Sequence, residues 1–152
     1  GLVEQVIFTG FRKDVKQIMA ACDIYAMPSF EEPFGMVFLE AMAMKRPVIA
    51  SVSGGVPEFV EHGKAGLLSV HKDIDGLAEH ILTLVDNPEL RRRMGEHGRR
   101  RVETTYNAAQ MAREMEQVYH RVVGARKGNH PALALPQPVS PAELLAAGER
   151  PA

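Results

Sequence analysis

Short apolar runs of strand character alternate with segments of helical periodicity, and this alternation restricts the chain to few folds. Residues 5–9 (Gln-Val-Ile-Phe-Thr) are β-branched and aromatic and stop at Gly10, which predicts a buried strand. Residues 23–28, 47–51 and 66–70 are three further runs of this kind. Between them, Val15, Ile18, Met19 and Cys22 recur at helical spacing over 14–22. A second helix is expected from about Gly35 to Met44, with Lys45 and Arg46 as cations at its end. A short helix is expected over 57–61, after the Gly54-Gly55 turn. Beyond residue 70 the pattern is helical, with segments at 73–86, about 89–103 and about 107–126, the first two separated by Asn87-Pro88. Strands joined through helices pair in parallel, so an α/β fold with a mostly parallel sheet of about four strands follows.

Charge and cysteine content remove several function classes. Eighteen Lys and Arg against nineteen Asp and Glu leave a net charge of −1, so no global field draws the chain to nucleic acid or to an anionic membrane. One Cys excludes an internal disulfide framework and a cysteine-rich zinc module. No run approaches about 18 apolar residues, so no transmembrane helix is expected. Residues 1–9 lack a basic stretch followed by an apolar core, so no signal peptide is expected either, and a cytoplasmic, reducing setting follows. From residue 128 the composition shifts to Pro, Ala and small polar residues, so 1–127 is expected to be the folded domain and 128–152 a disordered tail, with a turn of helix at 142–147.

Parallel sheets bind ligands at the carboxyl ends of their strands. Three such ends carry unusual residues: Gly10-Phe11-Arg12, Ser29 to Gly35, and Ser51 to Gly55. The helix that starts near Gly35 has no Asp, Glu, Ser or Thr in its first turn, so its free N–H groups are open to an outside acceptor. Its dipole favours an anion there, and a phosphate is the natural candidate; capping by neighbouring backbone is the alternative. Glu40 is the only charge between Met36 and Met44 on a helix apolar nearly all round. A carboxylate in such a place needs donors, either ligand hydroxyls or a structural partner such as Lys45 or Arg46. Glu32 and Glu40 bracket the helix start, which matches a sugar nucleotide: a diphosphate between two polyhydroxyl rings.

The stretch Ser29-Phe30-Glu31-Glu32-Pro33-Phe34-Gly35-Met36-Val37-Phe38-Leu39-Glu40-Ala41-Met42-Ala43, followed by Arg46 to Ser51 and by Gly54-Gly55-Val56-Pro57-Glu58, resembles the glutamate-x7-glutamate signature of the retaining glycosyltransferases of family four, which have the GT-B fold. The resemblance runs over about residues 3–123 and includes His62 to Leu68 and Asn87 to Leu90. It implies an incomplete Rossmann-like domain, the donor-binding half of a hexosyltransferase that uses a nucleotide-diphosphate sugar such as a UDP-, GDP- or ADP-sugar. Glu32 matches the first signature glutamate, beside the donor sugar and its reacting centre, and is the implied catalytic residue. Phe34 and Gly35 would hold sugar hydroxyls through their backbone, Met36 and Val37 the diphosphate, and Glu40 the ribose. Main chain near Phe11 and Arg12 would frame the base. No bound metal is implied. Lys45 departs from the family, where a Gly often stands, and little effect is expected of it. The family's acceptor-binding N-terminal domain is missing, as are two strands whose loops carry an Arg and a Lys for the diphosphate. Those strands would lie between 5–9 and 23–28, so two backbone edges would be left unpaired. The isolated chain is therefore expected to be inactive.

The other features have simpler readings. Arg91-Arg92-Arg93 and Arg99-Arg100-Arg101 alternate with Glu89, Glu96 and Glu103, the pattern of a solvated, salt-bridged face, with peripheral membrane contact as the alternative. The six His have no ligand spacing, so none is assigned to a metal. Cys22, Met42, Met44, Met111 and Met115 read as packing residues, and Glu58 as a first-turn acid at a helix dipole. Two further function classes remain open: a nucleotide-sugar or phosphate module without transfer activity, and a fragment that self-associates through unpaired strands.

Overall fold

The computed structural model describes residues 2–126, so the expected tail at 128–152 lies outside the described residues. The elements run α1 (Val15–Ala21), β1 (Tyr25–Met27), α2 (Met36–Ala43), β2 (Val48–Ser51), α3 (Val56–Phe59), β3 (Gly66–Ser69), α4 (Ile74–Asp86), α5 (Pro88–Thr104) and α6 (Ala108–Arg126). The three strands form one parallel sheet in the order β1-β2-β3, with Tyr25 opposite Val48 and Val48 opposite Gly66. Parallel neighbours require a crossover, and α2 and α3 supply the two that the alternating sequence pattern predicts.

Both faces of the sheet are covered, as a parallel sheet demands. Side chains alternate across β2 and β3. Val48, Ala50 and Leu68 join Phe38, Met42 and Phe59 in one buried cluster. Ile49 and Leu67 join Leu84 and Met94 in the other, with Leu77 and Leu90 packed against it. Helix α5 lies close against α2: a Cβ on Gly95 would stand 2.0 Å from the Lys45 carbonyl oxygen, so only glycine permits this approach. Helix α2 ends in a Schellman turn, in which the Arg46 N–H donates to the Ala41 carbonyl at 3.0 Å and the Lys45 N–H to the Met42 carbonyl at 2.9 Å. Lys45 takes the left-handed position of that turn at φ 58°, where glycine is the usual occupant.

Two expectations are corrected. Residues 5–9 form no strand: Ile7 is 83 % and Phe8 94 % exposed, and among the described residues the sheet has three strands instead of about four. A strand is held by a neighbour's ladder, and β1, the edge of this sheet, is paired on one side only, with β2. Strand propensity without a partner leaves the segment extended and solvated. Cys22 is half-buried at the end of α1 and stands outside both core clusters.

Candidate functional site

The loop from Ser29 to Gly35 leads from β1 into α2 and is fixed from outside itself. The Glu32 N–H donates to Ser53 Oγ at 3.0 Å, and Ser53 Oγ donates to the Phe30 carbonyl at 3.2 Å. The Gly55 N–H donates to the Pro33 carbonyl at 3.1 Å. Gly54 permits this seam: its φ is +50°, and a Cβ there would lie 1.9 Å from the Glu32 carbonyl oxygen. Phe34 closes the loop over the core, its ring centroid 5.3 Å from that of Phe59.

Gly35 then turns the chain into α2 with φ +81°, and no side chain caps the helix. Helical N–H groups at Met36 and Val37 therefore have no side-chain acceptor, and no acid occupies the first turn. Glu40 is half-buried one turn further on. Among the described residues it accepts no hydrogen bond and forms no ion pair, so the structural pairing with Lys45 or Arg46 that the sequence left open is not made. Tyr25 stands in the field of both carboxylates. Burial pushes its phenol above the ordinary value of 10.0, and the charges of Glu40 and Glu32 push it further in the same direction. Tyr25 packs edge-on against Phe38 at 5.8 Å. The sequence reading missed it; its only signal was an aromatic residue in a strand whose alternate positions face one way.

One loop-to-helix junction therefore brings together Glu32, Phe34, Gly35, Met36, Val37 and Glu40. Phe11 and Arg12 stand apart on the segment before α1. Phe11 is 90 % exposed, and Arg12 grips Asp14 with two hydrogen bonds at 2.8 and 2.6 Å. No hydrogen bond ties that segment to the junction among the described residues.

A second polar network holds α3, the short helix after Gly54-Gly55. Arg101 donates to the carbonyls of Phe59 and Glu58 and to Glu61 Oε1 at 2.9 Å, and the Tyr106 hydroxyl donates to the Glu58 carbonyl at 2.6 Å. His97 Nε2 lies 2.6 Å from Glu61 Oε2. Burial opposes ionisation of Glu61, but the His97 hydrogen bond and the Arg101 charge outweigh it and hold the carboxyl below its ordinary value. The basic stretch is largely engaged: Arg92 pairs with Glu89 and Glu96, Arg99 with Glu103, and Arg91 donates to the Leu84 and Val85 carbonyls. Among the described residues no three His, Cys, Asp or Glu side chains cluster as a metal site needs, and no helix is long and apolar enough to cross a membrane.

A parallel sheet covered by helices on both faces is the architecture of a Rossmann-like domain. The chain belongs to the family described as glycosyl transferases group 1, whose model matches residues 1–101. It is 34 % identical over 120 residues to the N-acetyl-alpha-D-glucosaminyl L-malate synthase of Bacillus anthracis, covering 79 % of this chain and 32 % of that protein. It is 37 % identical over 115 residues to the alpha-maltose-1-phosphate synthase of Mycolicibacterium smegmatis, covering 71 % and 30 %. Among solved structures, HepE of Anabaena in complex with UDP matches with a TM-score of 0.74 and 33 % identity, over 79 % of this chain and 33 % of that one. The chain thus spans about a third of the length of these relatives.

Proposed function

We propose that this chain is the donor-binding part of a retaining glycosyltransferase that moves a hexose from a nucleotide-diphosphate sugar to a hydroxyl of a glycan, lipid or small molecule. The observation that carries the reading is the unpartnered Glu40 carboxylate beside an uncapped helix start. In this reading the Glu40 carboxylate accepts hydrogen bonds from the ribose hydroxyls. The N–H groups of Met36 and Val37 meet the diphosphate, and backbone at Phe34 and Gly35 meets the sugar. Glu32 lies beside the anomeric carbon, where a carboxylate stabilises the positive charge that develops as the sugar–phosphate bond breaks. Main chain near Phe11 and Arg12 frames the base. The leaving phosphate accepts the acceptor's proton, so no metal enters the scheme. HepE has been crystallised with UDP and with UDP-glucose, which supports a nucleotide sugar as the ligand. The acceptor belongs to a further domain, and the isolated chain has no appreciable transfer activity.

Amide titration of the labelled chain with UDP-, GDP- and ADP-sugars tests this. Saturable shifts at Gly35 to Glu40 with one nucleotide are expected; none with any of the three overturns the reading. Exposed Ile7, Phe8 and Phe11, beside a sheet whose β1 edge is open, favour one further property, self-association of the chain in isolation. Sedimentation that shows a monomer at all concentrations excludes it.

A further inference from the structure

Glycine populates positive and negative φ about equally, so Gly35 does not by itself select the +81° that turns the chain into α2. Its neighbours make the selection. A Cβ built on Gly35 would stand 2.6 and 2.9 Å from Cδ2 and Cε2 of Phe38, and 3.1 Å from Cγ of Glu32. The Phe38 ring and the Glu32 side chain therefore close on the space that a side chain at 35 would fill. Long helical side chains lean toward the N-terminus, so Phe38, three residues on, lies back over Gly35. Its N–H also donates to the Gly35 carbonyl at 3.0 Å, so backbone and ring of one residue hold the same glycine. The ring itself is fixed. Phe38 is fully buried, Tyr25 of β1 stands edge-on against it, and its centroid lies 6.3 Å from that of Phe59 of α3. A rigid line of ring contacts thus runs from β1 and α3 to the residue that starts α2.

We propose that Phe38 is a positioning residue of the donor site: its ring holds Gly35 left-handed and so aims the N–H groups of Met36 and Val37 at the diphosphate. The inference rests on the donor reading above, and it gives Phe38 a task besides its place in the core. The contact is made by ring carbons at the δ and ε positions, so reach matters to the glycine as well as apolar volume. A leucine keeps atoms at the δ position; a valine ends one bond short. Donor groups already fixed in the bound direction spare the complex the cost of ordering them. Released, Gly35 spreads over several backbone wells, and only one of them presents the N–H groups together. A competent fraction of about a tenth to a quarter weakens binding about four- to tenfold.

The test compares the labelled full chain with its Phe38→Leu and Phe38→Val variants, and with Leu84→Val as a control for lost core packing. Leu84 is fully buried in the cluster on the other face of the sheet, so its truncation lowers Tm without touching Gly35. The measurements are the Gly35 HN–Hα couplings, which report φ, the affinity for UDP-, GDP- and ADP-glucose, and Tm. Phe38→Val should average the couplings and weaken binding about four- to tenfold. Phe38→Leu and Leu84→Val should keep the couplings and bind within about twofold of the native chain, although all three variants lower Tm. The proposal is overturned if Phe38→Val retains the native couplings or the native affinity. It is equally overturned if Leu84→Val loses as much affinity, because the effect is then general destabilisation. Should Phe38→Val not fold, Tyr25→Leu removes the buttressing ring from a half-buried position. It should then show the averaged couplings and the weaker binding, and native values of both overturn the proposal. The donor reading fails separately: a native chain that binds none of the three nucleotide sugars sinks that reading and this role with it. Native binding that survives Phe38→Val sinks the positioning role alone.

Discussion

At the scale of single residues, the roles proposed for Glu40 and Glu32 are separable by experiment. On the proposed reading, Glu40→Ala removes charge-assisted hydrogen bonds to the nucleotide, worth roughly 1.5–3 kcal/mol, so affinity in calorimetry should fall about tenfold to a hundredfold. Glu32→Gln, in the enzyme that contains this domain, should lower turnover and leave nucleotide affinity within a few-fold. Unchanged nucleotide affinity in Glu40→Ala would remove its assigned role. Gly54→Ala acts from a distance: the new Cβ overlaps the Glu32 carbonyl oxygen at 1.9 Å, in a backbone region that alanine avoids. It should cost about 1–3 kcal/mol in chemical denaturation and weaken donor binding, because the loop must move. Glu40 was legible in the sequence because a lone charge on an apolar helix is an anomaly that composition cannot hide. Tyr25 and the requirement at Gly54 were not, because each depends on which backbone or carboxylate arrives from another element.

At the scale of elements, the helices and the three strands of the sheet were legible, but strand character at 5–9 did not make a strand. Helical periodicity encodes its own hydrogen bonding, so α4, α5 and α6 fall within a few residues of their expected bounds. Strand character at 5–9 encodes only a readiness to pair, and the segment finds no partner among the described residues. Helix α2 carries a local compromise. The sequence reading expected little of Lys45, yet it sits in the left-handed position of the Schellman turn, a conformation that costs an L-residue about 1–2 kcal/mol. Lys45→Gly relieves that strain and loosens the unfolded chain, so a net gain of about 0.5–1 kcal/mol and a higher Tm are expected. A lower Tm would mean that the exposed lysine side chain contributes contacts that outweigh the strain.

At the scale of the whole molecule, stability should depend on pH through carboxylates held low in the folded state. Glu61 is the one placed between helices, opposite His97 and Arg101, while Asp14 and Glu89 are held low by Arg12 and Arg92 on the surface. A depressed folded value stabilises the fold above the unfolded value and loses that contribution as pH falls through the folded one. Denaturation midpoints should therefore be level near neutrality and decline below about pH 4.5, and Glu61→Gln should flatten part of that decline. An unaltered acid limb in Glu61→Gln would place the dependence elsewhere. The seam between Ser53 and the 30–33 loop has a consequence for how the molecule opens. The Glu32 amide is protected by a hydroxyl 21 positions along the chain and by no bond of its own segment. Its hydrogen exchange should therefore follow the opening of the β2–α3 turn, so that two loops distant in sequence breathe as one unit. Ser53→Ala should speed exchange at Glu32 and leave the α2 amides at their former rates.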